Sequence, residues 1–460
     1  MSSLSFPATA VVALADRILS EVVETCPDLG EQIGDLRRRL HEPPRILVVG
    51  GRGTGKTTLV HALTGTAPAP SADPVLYCSA DRPPPRDLPL TVSIRQVEGP
   101  SLHSISLVDP ASLPLPVPEQ DRAAVADACL YLVDREPNDA DLERIRGTGL
   151  GPAGTVLIIS RADEFGAGAL GSVDPVADAR RYAAHLRRST APCARSPLTS
   201  APWATALAVS PLLATASVTV ADLDDAALTR FTERLASYDS AALGRVLIRA
   251  DGGGVPPSLH RDLVRTGTYG VLHGKSALSS RGDRREELTA WLSSVSGLSE
   301  LRAQLLGDTA QAALLKRTSE ILGELGQLKF TTRKPGGLAD VLEHAWSLTG
   351  AWRIRLYPSI AELSASGFDR DSALVMQMVD ADSLYDLAEV PVGSSPADVA
   401  NGVREQLRKV NIRLTGFTVP VAEAALTSVS AVLRRAVAEA DSLLAGNVVE
   451  EQKRLFSTSG

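Results

Sequence analysis

The sequence predicts an α/β domain, a mainly parallel sheet with helices on both faces, joined to an all-α helical bundle. Two observations predict it. Between residues 45 and 209, short apolar β-branched runs alternate with helical patterns, as in a parallel sheet covered on both sides. From residue 220 onward the hydrophobic period becomes helical, with short polar breaks, which describes an antiparallel bundle. The chain has 460 residues, more than one ordinary core holds. The expected division is N-terminal helices over 1–42, an α/β domain over 43–296 and a helical bundle over 297–460.

Residues 8–41 read as two helices. Ala10, Val11, Leu14, Ile18 and Val22 recur at helical spacing, as do Ile33, Leu36 and Leu40 after Pro27-Asp28. They either cap the sheet or return to helices near the C-terminus. Pro43-Pro44 ends helical structure and admits the first strand, 46–49. That strand runs into Gly50-Gly51-Arg52-Gly53-Thr54-Gly55-Lys56-Thr57, and a helical pattern follows at once. The spacing is G-x-x-x-x-G-K-[ST] with a strand before and a helix after, the context a phosphate-binding loop requires. Gly50, Gly51, Gly53, Thr54 and Gly55 are expected to curl so that backbone N–H groups face one concavity. Lys56, Thr57 and Thr58 open the helix, whose free N–H groups and dipole favour phosphate. Lys56 can reach the β- and γ-phosphates, and the Thr57 hydroxyl can hold Mg²⁺. The bland alternative is a glycine-rich strand-to-helix turn.

Residues 66–90 are rich in Pro, Ala, Ser and Asp and read as a loop. Strand-like runs follow at 90–97, 104–108, 129–133, 155–159 and 205–209, with helical patterns such as 175–187 between them. The polar residues Asp109, Asp134, Ser160-Arg161-Ala162-Asp163 and Ser210 stand at the ends of these runs. Ligands of open α/β sheets sit at the carboxyl ends of strands. Residues 298–325 read as one long amphipathic helix with Leu301, Leu305, Leu315, Leu322 and Leu325 on a shared face, broken by Pro335-Gly336-Gly337. Further helices are expected at 338–366, 371–387, 396–414 and 421–444, their apolar stripes and Trp346 and Trp352 forming bundle core. Two apolar stretches, 374–379 and 390–392, suit either a membrane-facing tip or the bundle interior.

Composition excludes several classes. Hydrophobic residues at 44% and charged residues at 22% suit a globular chain. A net charge of -7 gives no support for nucleic-acid binding. Cys26, Cys78, Cys129 and Cys193 lie far apart with no C-x-x-C pair, against a metal site or a disulfide framework. No charged segment and apolar core of a signal peptide opens the chain, and no apolar run reaches the ~20 residues of a membrane span. The expected location is the cytoplasm, with peripheral contact to the inner face of the plasma membrane left open.

Ser160-Arg161-Ala162-Asp163 bears on which nucleotide is held. An N/T-K-x-D element at this strand end reads guanine, because a carboxylate accepts from the N1 and N2 groups that adenine cannot supply. Here Asp163 would read the base and the Arg161 stem would lie along it, with Ser160 opening the element. The alternative is a strand-end turn with a surface ion pair. Ser210 either lies near the base edge or caps the next helix.

The loop, the Leu157 to Glu164 run L-I-I-S-R-A-D-E and Ala208 to Ala214, A-V-S-P-L-L-A, resemble bacterial dynamin-like GTPases, most of all the isoniazid-inducible Ini proteins of actinobacteria. S-G-L-S-E-L-R at Ser296 to Arg302 is similar as well. The likeness covers residues 40–330 in motif and the remainder in architecture. It implies a P-loop GTPase domain with a helical neck and trunk, the N-terminal helices packing on the neck. It also implies GTP or GDP with Mg²⁺, metal contacts from Thr57 and Asp109, and Lys56 and Thr57 at the reacting phosphate. Implied partners are a second copy or a dynamin-like paralogue and an anionic membrane surface.

This sequence departs from the family at several positions. The third motif, D-x-P-G in relatives, is Asp109-Pro110-Ala111-Ser112 here, so the glycine is missing. Residues 67–90 contain no Thr to close over the metal, leaving Ser71 and Ser79 as substitutes. A Gln and a Ser of eukaryotic dynamin loops are replaced by Arg52 and Gly53. Arg52 serves either as a cis arginine finger or as a solvent-facing loop residue. Hydrolysis depends on positioning and charge, so these losses should impair it more than diphosphate binding. Three readings stay open: a slow dynamin-like GTPase, a hydrolytically weak nucleotide-binding subunit of an active paralogue, and an ATP-dependent kinase or ATPase.

Overall fold

The computed structural model describes residues 8–66, 74–82, 92–97, 104–109, 126–189, 201–238, 256–278, 283–347, 351–381, 383–416 and 419–457. It divides into two compact units. One holds Pro43–Arg195 and Ala201–Ala310, and the other is built mainly from Met1–Glu42 and Gln311–Gly460.

The first unit is organised by seven strands: β1 Arg45–Gly50, β2 Val75–Ser79, β3 Ser93–Val97, β4 Ser106–Asp109, β5 Ala128–Val133, β6 Thr155–Ile159 and β7 Thr205–Ala208. Their order is β3-β2-β4-β1-β5-β6-β7. The strands from β4 to β7 run parallel, β2 runs antiparallel to β4, and β3 follows β2. β5 and β6 are buried along their whole length. A strand covered on both faces has no reason to alternate, which is why these segments read as continuous apolar runs. Gly50 pairs with Leu132, Leu132 with Ile158, and Ile158 with Leu207. The carboxyl ends of β1, β5, β6 and β7 therefore finish level. One core packs Leu47, Val49, Tyr131, Leu157 and Ile159 with Trp203. A second, beyond β7, packs Leu213, Val220, Phe231, Leu235, Leu288 and Leu292 from the helices Pro211–Ala221, Asp225–Ser237 and Arg284–Ser296.

The expected loop over 66–90 is corrected by β2, whose five residues are all buried. Pro, Ala and Asp on either side hide a five-residue strand that only its sheet neighbours stabilise. The expected single helix over 298–325 is also corrected. Helix Leu298–Gln304 passes into a wider turn at Leu305–Thr309, where Gly307 leaves helical space (φ -97, ψ -110), before Ala310–Gln327 resumes. Glycine is a poor helix former, and the leucine stripe alone does not reveal the break.

In the second unit the helices Ala8–Thr25 and Gly30–His41 meet later helices. Arg39 holds Glu324 in a two-pronged pair at 2.6 and 2.9 Å. Buried Arg317 donates to the carbonyls of Arg39 and Glu42, supplying cation and donors to the C-terminus of Gly30–His41. Asp28 accepts from the Arg333 amide and the Thr332 hydroxyl at 2.9 and 3.1 Å. The 338–366 expectation becomes two helices, Pro335–Ser347 and Ala351–Ala365, with Pro335 opening the first. The 371–387 expectation becomes Asp369–Asp380 and Leu384–Leu387, the second capped by Ser383. Pro396–Leu414 and Pro420–Ser457 complete the unit. Of the apolar stretch 374–379, Val375, Met378 and Val379 are core, whereas Val392 is 71% exposed. Trp346 and Trp352 are only half-buried.

Candidate nucleotide-binding site

The site grows from the carboxyl end of β1. The chain turns there and enters helix Lys56–Thr64 through Gly55, which sits in the left-handed region (φ 84). A side chain at Gly55 would be strained, and its Cβ would stand 3.0 Å from Pro211 Cγ. No side chain caps this helix. Asn138, Ser210 and Asp224 cap the helices that follow them in the same unit. The first N–H groups of Lys56–Thr64 thus have no side-chain cap, as an anion site requires.

Lys56 folds back over the loop, its Nζ donating to the carbonyls of Gly50 and Gly51 at 3.0 and 2.8 Å. Partial burial pulls its pKa below the usual lysine value, and nearby Asp109 opposes that shift. Asp109 ends β4 and is buried, and desolvation raises its carboxyl above the usual range against the pull of Lys56. The pair lies at the same strand ends as the loop. Thr57 is exposed beside Lys56. Thr54 is buried, with its hydroxyl donating to the Gly51 carbonyl at 2.9 Å.

The end of β6 supplies the second half. Ser160 is fully buried and donates to the Thr54 carbonyl at 2.5 Å. Arg161 takes a left-handed conformation (φ 54), a turn that brings Asp163 round in the short 3₁₀ segment Ala162–Glu164. Arg161 is exposed and pairs with Glu164 at 3.0 Å. Asp163 is only 4% exposed. The Ala162 amide reaches the Val209 carbonyl, tying this turn to the end of β7.

One cavity of about 410 Å³ joins these parts. Gly53, Gly55, Lys56, Thr57 and Thr58 form one side. Arg161, Asp163, Glu164, Pro211 and Leu212 form the other. Its volume falls in the range of small-molecule sites. Residues distant in sequence, Lys56 and Asp163, therefore border the same space.

The remaining expected residues fall outside its lining. Gly50 and Gly51 contribute carbonyls to Lys56. Thr54 and Ser160 brace the loop from behind. Ser210 is fully buried and its hydroxyl accepts from the Leu213 amide at 3.2 Å, so it caps helix Pro211–Ala221. Arg52 is exposed and does not line the cavity. Ser79 is buried at the end of β2, its hydroxyl accepting from the Asp81 amide. Ser71, Pro110-Ala111-Ser112 and Cys193 lie outside the described residues. Sequence reasoning missed Glu164, Pro211 and Leu212. Glu164 follows Asp163, and Pro211 and Leu212 are the next two residues after Ser210, so adjacency at a strand end is the signal that would have found them.

No family model and no curated protein matches the chain. Among solved structures, one described as an oligomerised bacterial dynamin pair, in work on long-range sensing and tethering of membranes, is 11% identical. The match covers 93% of this chain and 90% of that one, with a TM-score of 0.27. A superposition that loose bears on neither fold nor chemistry, and the functional reading rests on the cavity itself.

Proposed function

We propose that this chain is a guanine-nucleotide-binding protein of the large, dynamin-like kind. The observation that carries the reading is that Lys56 and Asp163 line one cavity. The Lys56 ammonium and the uncapped helix N-terminus suit a phosphate chain. A buried carboxylate at the far side suits a base that offers paired N–H donors. The Arg161 stem and Leu212 then hold the two faces of the ring. Thr57 lines the cavity and Asp109 interacts with Lys56 outside that lining; a hydroxyl and a carboxylate of this kind suit Mg²⁺ with nucleotide oxygens as further ligands. The metal would offset charge on the phosphates, and Lys56 would share that role.

Hydrolysis is slow in this reading, because the third motif lacks its glycine and residues 67–90 contain no Thr. Nucleotide state is coupled to self-association and to peripheral membrane remodelling at the inner face of the plasma membrane. The same sequence losses favour a second reading, in which the chain binds nucleotide without useful turnover and assembles with an active paralogue. Purified protein is titrated with GDP, GTP and ATP, and phosphate release is followed on the same sample with and without anionic vesicles. Guanine binding with turnover above Lys56→Ala supports the GTPase, and binding without turnover leaves the regulatory subunit. Preference for ATP removes both.

A further inference from the structure

The helix Pro257–His273 contains one residue outside helical space, Gly267, at φ 67 and ψ 177. That combination is open essentially to glycine alone. The break is held from both sides. Five residues earlier, fully buried Asp262 grips Arg234 with two bonds of 2.8 Å and accepts from the Tyr238 hydroxyl at 2.8 Å. Two residues later, buried Tyr269 stacks on Trp291 with ring centroids 6.3 Å apart and planes at 9°. The helix is thus anchored on both flanks of the kink, at a backbone conformation that excludes other residues.

What lies opposite the kink is the base side of the cavity. A Cβ placed on Gly267 would stand 2.9 Å from Leu212 Cδ2 and 3.4 Å from Asp163 Oδ2. Both partners line the cavity. The bare backbone at 267 is thus the surface against which Asp163 and Leu212 rest.

We propose that Gly267 is a specificity-determining position for the purine. By having no side chain, it lets the kinked helix back Asp163 and Leu212 so that the carboxylate faces the N1 and N2 edge of guanine. This rests on the guanine-nucleotide reading above. A methyl group at 267 displaces the Leu212 side chain, 2.9 Å away, and sets a strained backbone 3.4 Å from the Asp163 carboxylate, while Lys56 and its loop keep their own contacts. Recognition of the base then fails selectively, and phosphate binding persists.

The test compares GDP with IDP, which lacks the 2-amino group, by titration calorimetry on wild type, Asp163→Ala, Gly267→Ala and Leu212→Ala, each checked for cooperative melting. Wild type should prefer GDP by about tenfold or more, the worth of one hydrogen bond to a charged acceptor. Asp163→Ala should abolish that preference, and Gly267→Ala should reduce it to within about twofold while IDP affinity changes little. If Gly267→Ala does not melt cooperatively, Leu212→Ala carries the test, since it opens the same junction without straining a positive φ; it should lower the GDP-over-IDP ratio in the same direction. If Asp163→Ala removes the preference but Gly267→Ala and Leu212→Ala keep it, the role of Gly267 is overturned and the guanine reading stands. If wild type shows no preference, or Asp163→Ala leaves it intact, both fall together.

Discussion

Ser160 donates its hydroxyl proton to the Thr54 carbonyl at 2.5 Å, across 106 positions of sequence. The bond fastens the strand end that carries Asp163 to the loop that carries Lys56. Both residues are buried, so neither has water as an alternative partner.

Replacing Ser160 by Ala leaves the Thr54 carbonyl unsatisfied. The expected cost is about 1–3 kcal/mol of stability. GDP affinity should fall as well, because the two halves of the cavity lose their tie. Chemical denaturation and GDP titration on the same variant check this. Wild-type stability and affinity in Ser160→Ala would show that the two halves hold their places independently.

Asp163→Asn replaces an acceptor-only group by one that also donates. Guanine offers N–H at N1 and N2, whereas xanthine carries a carbonyl at C2. Affinity for GDP should fall by about two orders of magnitude and affinity for XDP should rise. Competition between the two nucleotides for the variant is the measurement, and unchanged guanine preference would remove Asp163 from the base.

The lowered pKa of Lys56 sets a pH dependence. Burial disfavours its ammonium, so the free protein loses that charge below the ordinary 10.5, with Asp109 limiting the drop. Bound phosphate favours the charged form. Nucleotide affinity should therefore hold steady at lower pH and decline as pH rises through the lowered lysine value. Lys56→Arg keeps its charge to about pH 12 or above and should move that decline upward. GDP titrations across alkaline pH, wild type against Lys56→Arg, separate this from ionisation of the base, which is common to both.

Val375 and Val392 should behave oppositely when changed to Asp. Val375 is fully buried in the helical unit, and an unpaired carboxylate there should cost more than about 4 kcal/mol. Val392 is 71% exposed, and its change should stay within about 0.5 kcal/mol. Thermal melts test both. Flotation with anionic vesicles then asks whether Val392 meets a membrane; a well-folded Val392→Asp that floats like wild type would place that contact elsewhere.

The glycine-rich loop, the parallel strands and most helices were legible in the sequence because each is encoded by neighbours along the chain. A β-branched run followed by Gly55-Lys56-Thr57 dictates a strand, a left-handed turn and a helix through local sterics and hydrogen bonding alone. β2 escaped because Val75–Ser79 is too short to announce itself, and it exists through its pairing with β3 and β4. Gly307 escaped because the leucine period on either side of it is uninterrupted.

Only tertiary structure decided what faces the cavity. It turned Ser210 into a helix cap, set Arg52 on an exposed face, and brought Leu212 and Gly267 against Asp163. The physical reason is that sheet register and helix packing, which act between segments more than a hundred residues apart, choose neighbours that no local pattern records. Sequence by itself determined a glycine-rich turn between a strand and a helix; the fold decided which side chains stand across the cavity from Lys56.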